Sequence, residues 1–327
     1  MAADETTGAD LAGLADEGLA RWVAEVRQAS APSWRETGAA ALREDSRRRA
    51  AARPRGPALP LVRDLSTADD PRPGLSLRLY RAATEPRPLV LYLHGGGFVL
   101  GNLESHDSIC RRLALLADVA VLAVDYHRAP EHPGPAAVDD AVRAFLWAQP
   151  RLDELGAAAA GTGLAGDSAG GALALLAAVR LRAEGTGAAA LLLAYPNADM
   201  TLSQPSLRQE GHGWGLEADD VRWSVEQWIP DPGRRASPGL SPVHAELSGL
   251  PPALLATAEH DPLRDEGGAL ARLMGAAGGD VRLITHPGLV HGFLGLANVS
   301  SAAERAGDEL FERFGRLLRG DLPAAGG

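Results

Sequence analysis

Strand-like apolar runs alternate with helical patterns along most of this chain, and the alternation limits the fold more than any other sequence feature. The runs predicted as strands cover residues 61–67, 75–81, 88–93, 119–125, 188–195, 252–258 and 281–286. The segments predicted as helices cover residues 105–117, 135–148, 168–184, 265–277 and 301–319. We expect a hairpin from the first two strands, whereas strand–helix–strand repeats build a parallel sheet from the rest. The sequence therefore predicts an α/β fold, a mostly parallel central sheet flanked by helices.

The segment "GTGLAG", residues 161–166, fits this scheme least well, because glycine and alanine are depleted in strands. The alternation nevertheless requires a strand there. We predict one over residues 161–166 from its position alone.

A serine motif follows that segment directly. "GDSAG", Gly166–Gly170, lies between the expected strand and a strongly helical run, which is the context that a nucleophilic serine on a sharp strand-to-helix turn requires. Small flanking residues allow the sharp turn, and the helix N-terminus favours developing negative charge. The sequence predicts Ser168 as a catalytic nucleophile.

A serine nucleophile needs a histidine base and a carboxylate that orients it. Asp261 follows one expected strand and His291 follows the next, so the carboxyl ends of parallel strands would bring both to Ser168. We predict Asp261 and His291 as the other two catalytic residues. Other histidines and acids nearby fit these roles less well: His260 adjoins Asp261, Asp265 is expected to cap a helix, His286 ends a strand, and His94 precedes the serine. Glu259 remains a second candidate carboxylate.

Three consecutive glycines follow His94 in the stretch "LVLYLHGGGFVLGN". Glycines without a Cβ let the main chain approach a substrate closely, and a tetrahedral intermediate at a serine needs backbone N–H donors. We predict an oxyanion hole from the N–H groups of Gly96, Gly97 and Ala169. His94 is expected to hold this loop by a side-chain hydrogen bond.

Two segments fall outside the alternation, residues 1–50 and residues 200–235. They contain five of the six tryptophans: Trp22, Trp34, Trp214, Trp223 and Trp228. We predict an aromatic cap over the active edge of the sheet, although each tryptophan taken singly is equally well explained as packing between cap and body. The predicted domains are an N-terminal cap segment over 1–50, a core over 51–199 and 236–327, and a cap insertion over 200–235.

Phe98 and Phe293 are the only large apolar side chains in the motifs, so selectivity is expected to come largely from the cap. We predict that Phe98, Trp214 and Phe293 contact the substrate. A small pocket roofed by aromatic side chains suits acyl chains of short to medium length.

Composition excludes several classes of function. A net charge of −10 argues against nucleic acid or an anionic membrane as a partner. The chain has no lysine, which excludes a lysine Schiff base and a phosphate-binding-loop lysine. Cys110 is the only cysteine, so no intrachain disulfide or Cys-rich metal site can form. The N-terminus has no export-signal pattern and no apolar stretch is long enough for a membrane span, so we expect a cytoplasmic protein.

The chain resembles the hormone-sensitive-lipase-like esterases of the α/β-hydrolase superfamily, the bacterial carboxylesterases marked by HGGG and GDSAG. The matching blocks occur in the family's order over roughly residues 60–300: "YLHGGGFVLGNLESHDSICRRLA", "VLAVDYHRAPEHPGPAAVDDA", "GDSAGG", "LLAYPNADM", "SGLPPALLATAEHDPLRDEG" and "GLVHGF". The resemblance implies an α/β-hydrolase fold with a helical cap. It assigns the triad and the oxyanion hole to the residues predicted above.

Three positions depart from the family pattern. His127 and Arg128 follow "DY", where an Arg-Leu pair is usual, and Gly134 precedes "PAA", where a large aromatic residue is common. We expect these changes to reshape the pocket wall or the loop behind it.

The sequence predicts a serine carboxylic ester hydrolase that acts on small-molecule esters and needs no cofactor or metal; a homodimer is left open. Two alternatives remain. The chain could be a tailoring enzyme that deacylates, cyclises or transfers an acyl group on a secondary metabolite with the same triad. It could also be a ligand-binding receptor like the plant gibberellin receptors, but these lack the catalytic histidine.

Overall fold

A computed structural model of the protein describes residues 11–29, 31–68 and 74–322. Residues 1–10 and 30 of the predicted N-terminal cap segment, and residues 69–73 and 323–327 of the predicted core, lie outside the described residues. The described strands form one sheet of eight: β1 (Leu61–Ser66), β2 (Ser76–Arg81), β3 (Arg87–Leu93), β4 (Ala120–Asp125), β5 (Ala157–Asp167), β6 (Leu191–Ala194), β7 (Ala253–His260) and β8 (Val281–Val290).

The strand order in this sheet is β1-β2-β4-β3-β5-β6-β7-β8. β2 pairs antiparallel with β1 and with β4, and all the other neighbours pair in parallel. The carboxyl ends of β3 and β5 to β8 therefore meet at one edge of the sheet. The predicted mostly parallel sheet and the hairpin of the first two strands are confirmed.

Helices cover both faces of the sheet. The described α-helices are α1 (Glu17–Ala29), α2 (Trp34–Thr37), α3 (Ala39–Ala52), α4 (Asp107–Leu116), α5 (Ala136–Ala148), α6 (Leu152–Leu155), α7 (Ala169–Ala183), α8 (Ser206–Gln209), α9 (Ala218–Trp228), α10 (Arg264–Ala276) and α11 (Ser301–Leu318). α5, α7 and α10 bury their apolar sides against one face, and α4 and α11 against the other. Two hydrophobic cores result, one on each side of the sheet.

The strand predicted from position alone at residues 161–166 is present as the second half of β5. Its unusual composition follows from packing: a Cβ on Gly163 would lie 3.2 Å from the ring of Phe314 and 3.3 Å from Leu318. Two bulky side chains of α11 occupy the space that a strand residue would normally fill. β8 is longer than predicted, because it continues to Val290 instead of ending at residue 286.

The two segments outside the alternation contact each other. The backbone N–H of Trp34 donates to Asp220 Oδ1 (2.8 Å), and the rings of Trp34 and Trp223 meet edge to face at 6.3 Å. Arg27 Nε donates to the carbonyl of Gly213 (2.8 Å). Helices α1 and α2 thus pack against the 200–235 segment.

Asp16 attaches the N-terminal segment to the body. Its carboxylate accepts hydrogen bonds from the N–H groups of Leu19 and Ala302 (both 2.8 Å) and from the Ser300 hydroxyl (2.8 Å). Burial alone would raise the pKa of Asp16, but these hydrogen bonds outweigh burial and lower it to about 2. One carboxylate therefore caps the start of α1 and ties it to the start of α11.

We expect Asp16→Ala to lower the free energy of unfolding by about 1–2 kcal/mol at pH 7, because it removes the cap of α1 and the link to α11. A lowered pKa in the folded state gives stability that is present above about pH 4 and lost as the pH falls toward 2. The difference from wild type, measured by urea unfolding, should therefore shrink as the pH falls through this range. Glu17→Ala is the matched control, since the Glu17 side chain is exposed; an equal loss in both variants would contradict the role of Asp16.

Candidate active site

Ser168 lies on a sharp turn between β5 and α7, with φ 53° and ψ −123°. A positive φ is strained for a non-glycine residue and persists only where the surroundings impose it. A Cβ on Gly166 would collide with the Gly170 carbonyl, and a Cβ on Gly170 would collide with the Leu93 carbonyl. Glycine at both positions lets the start of α7 pack directly on the end of β3.

His291 follows the last residue of β8 and reaches both other residues of the predicted triad. Its Nε2 lies 3.0 Å from Ser168 Oγ, and its Nδ1 lies 2.9 Å from Asp261 Oδ2. Since a carboxylate only accepts, Nδ1 carries the proton and Nε2 is free to accept from the serine hydroxyl. The structure therefore brings Ser168, His291 and Asp261 into one hydrogen-bonded series.

Asp261 is fully buried at the end of β7. Its second oxygen, Oδ1, accepts from the N–H of Leu263 (2.7 Å), so both carboxylate oxygens are engaged. The N–H of Arg264 also bonds to the Asp261 carbonyl at 3.0 Å. This tight turn fixes the carboxylate in front of His291.

The alternative residues are engaged elsewhere. Glu259 accepts from the N–H of Gly288 (2.7 Å). Asp265 lies inside the first turn of α10 instead of capping it, and accepts from the N–H of Ser206 (2.9 Å). His286 lies within β8 instead of at its end and packs on Phe293, and burial lowers its pKa.

His94 and the glycine loop adjoin the serine turn. His94 Nδ1 donates to the carbonyl of Gly95 (2.9 Å), as expected for a residue that holds this loop, and its ring stacks on Tyr126 at 4.2 Å. Burial and the neighbouring His106 lower the pKa of His94 to about 3. His94 is therefore neutral near pH 7.

Asp167 joins the glycine loop to the serine turn. Its carboxylate accepts from the N–H of Gly95 (3.0 Å) and the hydroxyl of Tyr92 (2.7 Å). Burial alone would raise the pKa of Asp167, but the nearby His106 and these hydrogen bonds outweigh burial and lower it. The residue directly before Ser168 is therefore a buried, ionised carboxylate that fixes the glycine loop.

The N–H groups of Gly96, Gly97 and Ala169 have no hydrogen-bond acceptor among the described residues. Gly96 and Gly97 both have positive φ (124° and 59°), which their lack of a Cβ allows. A donor that is left free beside a nucleophile can bind a developing negative charge.

The three predicted substrate contacts are more buried than expected. Phe293 has no exposed surface and packs edge-on against Tyr195, and Phe98 is 1% exposed and stacks on Trp228 at 4.6 Å. The Trp214 ring stacks on His260 at 4.1 Å, and the Arg27 guanidinium lies 4.7 Å from its centre. This burial argues against direct substrate contact by the two phenylalanines, because a side chain with no accessible surface cannot touch a ligand unless its neighbours move.

The sequence placed Trp34 in the predicted aromatic cap but not among the substrate contacts, and it did not single out Ser224 or Tyr195. A Cβ on Gly97 would lie 2.8 Å from Ser224 Oγ and 3.1 Å from the Trp34 ring. The Tyr195 ring meets the His291 ring at 4.9 Å. Trp34 could have been preferred over Trp214 only from its position in space; nothing in the sequence signals Ser224 or Tyr195.

Of the three departures from the family pattern, His127 and Arg128 bond to residues outside the 200–235 segment, and Gly134 lies against Trp228 within it. His127 Nδ1 bonds to Asp140 Oδ2 at 2.7 Å, and Arg128 pairs with Asp125 at 3.0 Å. A Cβ on Gly134 would lie 2.9 Å from the ring of Trp228. The indole of Trp228 thus limits the size of the residue at position 134.

In the part of the chain that the structure describes, no three His, Cys, Asp or Glu side chains are arranged to hold a metal ion. No helix within the same residues has the length and apolar character to cross a bilayer.

A model of a family described by its alpha/beta hydrolase fold matches residues 90–295. The chain belongs to this family. This alpha/beta hydrolase is 44% identical over 231 residues to the carboxylic ester hydrolase LipN of Mycobacterium tuberculosis, covering 68% of this chain and 61% of LipN. It is 38% identical over 250 residues to an ethyl acetate hydrolase of Pseudomonas putida, covering 74% of this chain and 79% of that one.

Among solved structures, a hyperthermophilic esterase from the archaeon Pyrobaculum calidifontis superposes on this alpha/beta hydrolase with a TM-score of 0.82. The two are 33% identical, and the match covers 92% of this chain and 97% of the other. The predicted family, fold class and enzyme class, a carboxylesterase, are confirmed by these relatives.

We expect Gly170→Ala to cost about 3 kcal/mol or more of stability, because the new Cβ would meet the Leu93 carbonyl in a closely packed interior. The matched control is Gly275→Ala in α10, where nothing lies within 4 Å of the new Cβ and a better helix former adds up to about 1 kcal/mol. Thermal unfolding of the two variants checks this. A Gly170→Ala variant as stable as wild type would show that the close approach of α7 to β3 is not required.

Proposed function

We propose that this alpha/beta hydrolase is a serine carboxylic ester hydrolase in which Ser168, His291 and Asp261 are the catalytic triad. The observation that carries the proposal is the hydrogen-bonded series Ser168–His291–Asp261, on a serine held at positive φ. The proposed reaction is supported by the names of the relatives, which are ester hydrolases.

In the first half of the reaction Ser168 Oγ attacks the ester carbonyl carbon while His291 Nε2 takes the hydroxyl proton. Asp261 keeps the proton on Nδ1 and stabilises the imidazolium that forms. The tetrahedral intermediate then expels the alcohol, which receives the proton from His291 Nε2. In the second half a water molecule, deprotonated by His291, releases the acid from the acyl-serine by the same steps.

The N–H groups of Gly96, Gly97 and Ala169 would form the oxyanion hole. The assignment is supported by the absence of any other acceptor for them among the described residues and by the position of Ala169 at the N-terminus of α7. Donors that are already in place need no reorganisation when charge develops on the carbonyl oxygen.

Residues 1–50 and 200–235 would form the cap that selects the substrate. Trp34, whose ring adjoins Gly97, is the best-supported contact, and Trp214 remains a proposed one. A roof of aromatic side chains close to the oxyanion hole limits the room for the acyl group, so we propose small to medium acyl esters as substrates. The cytoplasmic location and a homodimer remain predictions.

The receptor alternative is disfavoured by His291, because a receptor that only binds has no need of a base hydrogen-bonded to a strained serine. The tailoring alternative uses the same residues and differs only in the substrate.

We expect Ser168→Ala and His291→Ala each to lower kcat by about 10⁴-fold or more, since nucleophile and base act as a unit. Asp261→Asn should cost about the same or less, because it loses the orientation of His291 but not the base. The measurements are kcat with p-nitrophenyl acetate and mass spectrometry of the protein after treatment with a phosphonate ester. Full activity of Asp261→Asn, or an adduct on any residue other than Ser168, would overturn the assignment.

Glu259→Gln is the matched control for Asp261→Asn. Glu259 is two residues away, and glutamine keeps an oxygen that accepts from the Gly288 N–H. We expect this variant to stay within about threefold of wild-type kcat.

We expect kcat/KM to rise over the shortest acyl chains and to fall for long ones, because a small pocket gains about 0.8 kcal/mol per buried CH₂ only until it is full. Trp34→Ala should move the optimum to longer chains by removing the ring beside Gly97. Trp147→Ala, outside the predicted cap, is the control and should leave the optimum unchanged. A panel of p-nitrophenyl esters from acetate to palmitate measures both effects; an unchanged optimum in Trp34→Ala would remove Trp34 from the pocket.

A further inference from the structure

Glu266 is a buried carboxyl group that the mechanism above does not use. It lies in the first turn of α10 and is 1% exposed. No arginine or histidine of the described residues forms an ion pair with it. Burial raises its pKa to about 8. Burying an acid without an ion-pair partner costs free energy of folding unless hydrogen bonds compensate for it.

The contacts of Glu266 reach the backbone of the nucleophile. Its Oε1 accepts from the Asn197 amide Nδ2–H (2.9 Å) and from the Ala198 N–H (2.6 Å). The backbone N–H of Asn197 in turn donates to the Ser168 carbonyl (3.1 Å), and the Ser168 N–H donates to the Ala194 carbonyl (2.9 Å). The end of β6 and the loop after it, which Glu266 holds, are thus hydrogen-bonded to the backbone of the strained serine turn.

Glu266 is also connected to Asp261, through the start of α10. α10 starts at Arg264, directly after the turn in which Leu263 and Arg264 donate to Asp261. Glu266 is two residues further along the same rigid helix. The Glu266 side chain therefore connects the turn that carries Asp261 to the loop that is hydrogen-bonded to the Ser168 backbone.

We propose that Glu266 is a positioning residue, which sets the separation of Ser168 and Asp261 and so keeps His291 within hydrogen-bond reach of both; this role rests on the proposed function. Ser168 needs such support because its positive φ is unfavourable for serine unless neighbouring groups impose it. The two hydrogen bonds at Oε1 link the elements that carry the two ends of the triad.

The charge state of Glu266 agrees with this role. Asp199, which is 1% exposed in the same loop, hydrogen-bonds Glu266 through its backbone N–H, and its carboxylate is held by Thr201 and Ser203. The negative charge of Asp199 adds to the effect of burial on the pKa of Glu266. Glu266 is therefore mostly neutral at pH 7, and glutamine reproduces both its shape and its acceptor oxygen.

The test compares Glu266→Gln and Glu266→Ala with wild type, using the full chain at a temperature where each variant is folded. Three quantities are measured: kcat and KM for p-nitrophenyl butyrate, the second-order rate at which a phosphonate ester labels Ser168, and the unfolding temperature. We expect Glu266→Ala to lower kcat and the labelling rate together by about 10- to 100-fold, with KM changed less than threefold. Glu266→Gln should keep both rates within threefold of wild type at pH 7.

Thr67→Val is the matched control. Thr67 is fully buried, accepts from the Leu75 N–H (2.9 Å) and lies beside β1 and β2, at the other end of the sheet. It should lower the unfolding temperature while leaving kcat and the labelling rate unchanged.

Two results would overturn the inference. Glu266→Ala could lose stability but keep wild-type rates, as expected for Thr67→Val, which would make Glu266 a packing residue only. Glu266→Gln could be as slow as Glu266→Ala, which would show that the acceptor oxygen is not what matters. If wild type itself were not labelled at Ser168, the proposed function would fail instead, so the two failures are distinguishable.

A pH series adds a second readout, in which the kcat profile separates positioning from packing. Because the pKa of Glu266 is raised in the folded state, its contribution to stability is complete below about pH 4.5 and is lost as the pH rises through about 8. Glu266→Gln lacks this titration. We expect the unfolding temperature of Glu266→Gln to rise relative to wild type between pH 6 and pH 9, as for any buried acid with a raised pKa. If Glu266 positions the triad, wild-type kcat should also fall relative to the kcat of Glu266→Gln over this range. A constant ratio of the two kcat values would contradict the proposal.

Discussion

The close packing of the start of α7 on the end of β3 is the constraint on which the rest of the site depends. Gly170 lies against the carbonyl of Leu93, where no other residue fits. This contact places the N-terminus of α7 beside the glycine loop and forces the chain through a sharp turn at Ser168. It accounts for the positive φ of Ser168. It also places Ala169 beside Gly96 and Gly97, three residues whose N–H groups have no acceptor among the described residues.

Three buried carboxyl groups surround that turn, and each is accommodated differently. Asp167 is ionised and accepts hydrogen bonds from the glycine loop and Tyr92. Asp261 uses one oxygen for His291 and the other for the backbone of its own turn. Glu266 has a raised pKa and bonds to the loop that grips Ser168. Hydrogen bonds to backbone amides make buried acids tolerable, and they also connect the loops of the site to one another.

Much of this arrangement was predictable from the sequence. The strand–helix alternation and the motifs around Ser168 and His94 are local signals, and Asp261 and His291 followed from them because parallel strands end at a common edge. β5 could be inferred only from its position, since Gly163 reflects packing against Phe314, a residue far along the chain. Tertiary packing overrides strand propensity there.

The cap contacts were not predictable for a related reason. Trp214 and Trp34 have the same side chain and both lie in segments outside the alternation. Only the fold shows that Trp214 stacks on His260 and that Trp34 adjoins Gly97. Glu266 was missed as well, because a glutamate in the first turn of a helix is ordinarily a solvent-exposed residue that favours the helix dipole.

The position of Trp34 links selectivity to chemistry. Its N–H is held by Asp220 and its ring lies beside Gly97, as does the hydroxyl of Ser224. Ser224 and Asp220 belong to the same helix, α9, and the Ser224 hydroxyl donates to the Asp220 carbonyl. Any rearrangement of α2 or α9 that enlarges the pocket therefore acts on the glycine loop as well. If these segments form the proposed cap, the side chains proposed to limit the substrate also restrict the backbone that would stabilise the oxyanion, so we expect changes in acyl-chain preference and in kcat to be coupled.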